Sequence, residues 1–123
     1  MQIIISNSSK EPIYEQITQQ IKSLILTGEL PKSTVIPSMR NLAKDLQISV
    51  ITTKRAYDEL EKEGFIYSIV GKGSFVAEQS PDMIREKKQQ VIEEQLAMVI
   101  ANCKAIGLSL SDLQQLTKIL YEE

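Results

Sequence analysis

Residues 48–64, ISVITTKRAYDELEKEG, read as one helix with two unlike halves. Hydroxyls and bases crowd the first half: Ser49, Thr52, Thr53, Lys54 and Arg55. Acids crowd the second: Asp58, Glu59, Glu61 and Glu63. Ala56, Tyr57 and Leu60 give the helix a side to bury. Bases and short hydroxyls at a helix N-terminus suit the major groove of DNA. There the dipole and first-turn N–H groups meet phosphate, and side chains reach base edges. The same pattern also fits an amphipathic helix with a solvated charged face. The neighbouring segments decide between these.

Residues 39–46 precede it as a second helical pattern, with Met39, Leu42, Ala43 and Leu46 on its buried side and Ser38 as N-cap. Gln47 and Ile48 leave only a short turn before Ser49, which caps the next helix. So short a connection, with a small Ala43 permitting close approach, predicts a helix-turn-helix. The turn has no glycine, so Gln47 must take the left-handed position, at a cost of about 1 kcal/mol relative to glycine. Residues 65–70 and 74–77 are β-prone and flank Gly71-Lys72-Gly73. The glycines permit positive φ in a hairpin turn, with Lys72 at its tip. A helix-turn-helix followed by such a hairpin is a winged helix. Lys72 alone is equally a solubilising turn residue, but beside a helix-turn-helix it predicts contact with phosphate or the minor groove.

Upstream, the β-branched run at residues 2–5 predicts an edge strand. A helix starts near Pro12, carries Ile13, Ile17, Ile21, Leu24 and Ile25 at helical spacing, and stops at Gly28. Residues 29–37 read as a connector. Downstream, Pro81 lies in a polar stretch that divides the chain into residues 1–78 and 79–123. Residues 83–106 read as one long helix with Ile84, Val91, Ile92, Leu96, Val99, Ile100 and Cys103 on an apolar stripe, ended by Gly107. Ser109 and Asp112 suggest a capping box, opening a last helix with Leu110, Leu113, Leu116, Ile119 and Leu120 apolar. Two helices cannot bury such stripes alone, so they must pack on the first domain or on another chain. The weak charge of residues 96–106 favours an interface. The predicted fold is mainly α with a small β-wing: a winged helix-turn-helix domain plus a C-terminal two-helix dimerisation appendage.

Composition removes other chemistry. With no histidine among 123 residues, His-based metal sites and triads are excluded, and the carboxylates fall on helix faces mixed with lysine. A small enzyme has little to build from, and no cofactor or metal is implied. The single cysteine forms no intramolecular disulfide, and Cys103 reads as a small core residue or, less simply, a reactive thiol. A cytoplasmic location is expected. No apolar run is long enough for a membrane, and no basic segment precedes the N-terminal apolar run as in a signal peptide. The net charge of −2 counts mildly against a nucleic-acid binder, but clustering of bases on one face matters more than the total.

The run IPSMRNLAKDLQISVITTKRAYDELEKEGFIYSIVGKGSFV, preceded by EPIYEQITQQIKSLILTGELP, resembles the winged-helix domain of the GntR family of bacterial transcription regulators. The short two-helix tail resembles the YtrA-type subfamily. The resemblance implies that Arg40, after the Pro37-Ser38 pair, touches DNA, and that Ser49 opens the recognition helix. Val50 stands where the family usually has a base-reading arginine, and Ile51 where a polar residue is common. These remove a guanine contact and offer apolar contact to a thymine methyl instead. Thr52 and Lys54 match positions that approach DNA, Arg55 is an additional base, and Thr53 matches a packed position. Gly71, Lys72 and Gly73 form the wing motif.

The resemblance further implies a homodimer on a near-palindromic double-stranded operator, repression, and often an ABC-type transporter operon as target. The expected dimerisation residues are Ile84, Val91, Ile92, Leu96, Val99, Ile100, Cys103, Leu113, Leu116 and Leu120. A small-molecule effector would act by changing half-site spacing, although no ligand-binding constellation is visible. The competing reading is a winged-helix protein-interaction module without a DNA role, favoured by the negative net charge and by apolar Val50-Ile51.

Overall fold

The computed structural model describes residues Met1–Glu123. The elements are α1 (Ile13–Leu26), β1 (Val35–Ile36), α2 (Met39–Leu46), α3 (Val50–Lys62), β2 (Ile66–Ile69), β3 (Gly73–Val76), α4 (Pro81–Ala105) and α5 (Leu110–Tyr121). Contacts divide the chain into two compact units, Met1–Lys87 and Lys88–Glu123, so the division falls within α4.

In the first unit α1 and α2 both pack on α3. Ile17 and Ile21 of α1 meet Tyr57 and Leu60 of α3 in a core that Leu42, Phe65, Ile66 and Val76 extend. Each fully buried large apolar side chain of this kind contributes roughly 1.5–3 kcal/mol. α1 begins directly after Pro12, whose carbonyl accepts from the N–H groups of Glu15 and Gln16. Just past its end at Leu26, Gly28 takes φ +86° and its N–H donates to the Ile25 carbonyl.

The strand expected at residues 2–5 is not formed. Ile3 is buried, but its neighbours' backbone groups are bonded by side chains of α1. The Gln20 amide accepts from Ile4 N–H at 2.9 Å and donates to the Ile4 carbonyl at 2.7 Å. The Gln16 amide does the same for Ser6, at 2.8 and 3.0 Å. A glutamine amide carries the donor and acceptor of a peptide group, so these two side chains replace a neighbouring strand.

The sheet is three-stranded and antiparallel in the order β1-β3-β2. β1 lies inside the segment expected to be a plain connector. It pairs Val35 with Phe75 and Ile36 with Ser74. Two residues are too few to show an alternating pattern in sequence. The hairpin runs from Ile66 opposite Val76 to Ile69 opposite Gly73.

One polar bond crosses this core. The Tyr57 hydroxyl of α3 donates to the Pro37 carbonyl at 2.6 Å, just before α2 begins. Burial pushes the phenol pKa well above its ordinary value, so it stays a donor across the working pH range.

In the second unit Gly107 (φ +76°) turns the chain between helices. Ser109 Oγ accepts from Asp112 N–H at 3.1 Å and Asp112 Oδ2 accepts from Ser109 N–H at 3.2 Å, a complete capping box. No residue of either tail helix is buried. Leu96, Ile100, Leu110, Leu113 and Tyr121 line an open groove of about 480 Å³. No helix of the chain is long and apolar enough to cross a membrane.

Tyr57→Phe leaves the Pro37 carbonyl without its donor and is expected to lower unfolding free energy by roughly 1–3 kcal/mol in urea titrations. The folded-state pKa of Tyr57 exceeds the unfolded one. Its contribution is therefore whole below about pH 10 and is lost as pH rises through the folded-state value. Tyr57→Phe should remove that part of the alkaline loss.

Candidate nucleic-acid interface

Two serine caps fix where α2 and α3 start. Ser38 Oγ accepts from Asn41 N–H at 3.1 Å, and Ser49 Oγ accepts from Thr52 N–H at 3.1 Å. Between the helices Gln47 takes φ 56°, ψ 47°, the left-handed conformation that the short turn demands. The Ile48 N–H then donates back to the Ala43 carbonyl at 3.0 Å. The helix-turn-helix therefore rests on local hydrogen bonds and one strained residue.

On α3 the buried side is Thr53, Ala56, Tyr57 and Leu60. Thr53 is packed, as expected, with its hydroxyl donating to the Ser49 carbonyl at 3.2 Å. The opposite side carries Val50 (46% exposed), Ile51 (81% exposed), Lys54, Arg55 and Asp58. Ser49 and Thr52 hydroxyls are paired at 2.9 Å. Lys54 Nζ lies 2.8 Å from Asp58 Oδ2, one helical turn on. Both partners are exposed, and such a pair contributes roughly 0.3–0.5 kcal/mol, little enough for a phosphate to displace Asp58. The Arg55 guanidinium lies 3.8 Å over the Tyr14 ring of α1 and has no carboxylate partner. Arg40, on the first turn of α2, is exposed and equally free of ion pairs.

The wing turns over Val70, Gly71 and Lys72, with Lys72 N–H donating to the Ile69 carbonyl at 2.9 Å. Gly71 has φ +81° and Gly73 φ +114°. An added Cβ at Gly71 would meet nothing within 4 Å, and at Gly73 only Val35 Cγ2 at 3.8 Å. Backbone conformation, not crowding, demands glycine here. Stacking of Tyr67 on Phe75 (5.5 Å between centroids) and a Ser68–Ser74 hydroxyl pair (3.0 Å) stiffen the hairpin. Lys72 at the turn is exposed and unpaired.

Of the tail residues singled out from sequence, Ile92, Leu96, Val99, Ile100, Leu116 and Leu120 are exposed, while Val91, Cys103 and Leu113 are half-buried. Ile84, grouped with them by its spacing, packs against the core of the first unit. Sequence reasoning missed Tyr14 and Asp58 as partners of Arg55 and Lys54. Asp58 was visible as the i+4 acid on the same helix. Tyr14 lies in a different helix, so no local signal marks it. Val70, which composition alone places at the end of a strand, is wholly exposed in the wing turn beyond β2. No group of three or more His, Cys, Asp or Glu side chains is placed to hold a metal ion.

A capped helix-turn-helix, a glycine-turned hairpin after it and unpaired bases on both define a winged helix-turn-helix DNA-binding protein. The profile of the bacterial regulatory proteins of the gntR family matches residues 13–76. The HTH-type transcriptional repressor YtrA of Bacillus subtilis (strain 168) is 37% identical over 116 residues, covering 94% of this chain and 89% of that protein. Among solved structures, YtrA from Sulfolobus acidocaldarius, a GntR-family transcription factor, is 32% identical, covering 98% of this chain and 97% of that one with a TM-score of 0.56. The AraR DNA-binding domain in complex with operator ORX1 is 28% identical, covering 63% of this chain and 96% of that one with a TM-score of 0.55. The chain belongs to the GntR family and is a DNA-binding transcription regulator, not an enzyme.

Gln47→Gly should relieve the left-handed strain and raise stability by up to about 1 kcal/mol, less the extra entropy glycine adds to the unfolded chain. A thermal melt showing a lower midpoint for the variant would contradict this account of the turn.

Proposed function

We propose that the chain is a repressor that binds a near-palindromic operator as a homodimer. The observation that supports this best is the exposed N-terminal end of α3, capped by Ser49 and accompanied by unpaired Arg40 and Lys72. α3 enters the major groove of each half-site, and Lys72 meets a neighbouring phosphate or the minor groove. Residues 1–78 bind DNA and residues 79–123 assemble two chains. The tail helices, none of whose residues is fully buried, support the second role, since an apolar stripe needs another element to cover it. Repression agrees with the name of the Bacillus subtilis relative. Control of an ABC-type transporter operon follows from the YtrA-type tail, and a small-molecule effector would act through half-site spacing.

A second reading is a protein-docking winged helix, favoured by the exposed Val50 and Ile51 and by the net charge of −2. Binding to genomic DNA fragments at moderate salt separates the two.

Arg40, Lys54, Arg55 and Lys72 facing about four phosphates per subunit give a logarithmic salt slope of about −7 for the dimer. A salt titration with a flat slope would refute the reading. Arg40→Ala and Lys72→Ala are each expected to weaken operator binding and to reduce the salt slope, with fold and assembly intact by circular dichroism and sedimentation. Leu96→Asp, on an exposed tail position, should yield monomers with poor operator affinity. Sedimentation of that variant as a stable dimer would remove the tail from the interface.

A further inference from the structure

At the reading end of α3 nearly every polar side chain already has a partner within the chain. Ser49 and Thr52 hydroxyls hold each other, and Ser49 also caps the helix. Thr53 is buried and bonded to the Ser49 carbonyl. Lys54 is paired with Asp58, and Arg55 lies on Tyr14. Val50 and Ile51 alone are presented without any partner, and neither joins the core of the first unit. They occupy the first two positions of the helix, where a recognition helix meets base edges. A single exposed apolar residue means nothing by itself. Two in succession, on a turn whose hydroxyls hold each other and whose lysine and arginine are left for phosphate, make an apolar edge the reading surface.

The major groove offers one apolar group, the methyl on C5 of a pyrimidine. We infer that Ile51, with Val50 beside it, reads a 5-methylpyrimidine in each half-site: thymine, or 5-methylcytosine in the same place. The inference rests on α3 lying in the major groove as proposed above. Ile51 supplies specificity, while Arg40 and Lys72 supply position through phosphate, which carries no sequence information. Burying one methyl group against a β-branched side chain corresponds to about a fourfold change in affinity.

The test uses the full-length chain and the duplex it selects from a random pool. That duplex is resynthesised with deoxyuridine replacing each thymidine in turn, which deletes only the methyl group. At one or two positions per half-site, binding should weaken about fourfold. With Ile51→Ala the thymidine and deoxyuridine duplexes should bind alike at those positions. At the same positions, deoxycytidine is compared with 5-methyldeoxycytidine. A methyl gain in both bases assigns the methyl group itself, and a gain in thymine alone assigns thymine. If no deoxyuridine weakens wild-type binding by as much as about twofold, the inference is wrong and the DNA-binding reading stands. If no duplex binds with salt dependence, the DNA-binding reading itself fails.

Discussion

The hydrogen bond from Tyr57 to the Pro37 carbonyl joins the two helices that must act as one body. Tyr57 sits in the middle of α3, with its ring 2% exposed, and its hydroxyl reaches the residue immediately before the Ser38 cap. Arg40 is on the first turn after that cap. The bond therefore fixes the start of α2, and with it the base that approaches phosphate, relative to the reading end of α3. The bond is part-buried, and breaking it would strand the hydroxyl of a side chain that is itself almost fully buried. No buried side-chain polar atom of the chain lacks a partner, so the core permits one arrangement rather than several.

The acidic half of α3 has a structural use. Glu63 at its end meets Lys22 of α1 at 2.7 Å, and the same ammonium lies 5.4 Å from the Phe65 ring centroid. α1 is thus tied to the rear of α3 through Lys22 and toward its front through Tyr14 and Arg55. Half-exposed pairs like Lys22–Glu63 add little stability each, roughly 1 kcal/mol or less. Their value is in placement: acids gather at the rear of the helix while Arg40 and Lys72 stay unpaired. Overall charge conceals that separation, and for this reason a net charge of −2 does not argue against the interface.

What was legible in the sequence follows from how local each signal is. The ends of α2 agree to the residue with its sequence pattern because Ser38, Leu46 and the left-handed Gln47 mark them within a few positions. The capping box of α5 and the glycine-turned wing were equally local. The misses are contacts between distant segments. The run at residues 2–5 has strand composition, yet Gln16 and Gln20 supply its hydrogen bonds, and a glutamine on a helix carries no mark of that use. β1 is a strand only because Phe75 and Ser74 lie beside it. The bases of the candidate interface are visible in the sequence, but their pairing is not. Lys54 and Arg55 are adjacent, yet one binds within its helix and the other lies on α1.

That pairing bears on why two chains would be needed. On the proposed reading each α3 discriminates through apolar contact, and one methyl group distinguishes bases only about fourfold. A half-site read this way is weakly specified, far below the ratio a regulator needs among competing genomic sites. Joining two readers multiplies their discrimination and raises the effective concentration of the second once the first is bound. The tail fits that requirement in physical terms. α4 and α5 leave Leu96, Ile100 and Leu116 uncovered, and on the proposed reading a second chain covers them. In a dimer built this way, burial of the tail and assembly of the reader would be linked, and the position of that equilibrium would depend on protein concentration. In the proposed dimer, a helix that reads bases weakly and a tail that leaves its apolar stripe uncovered would be complementary properties.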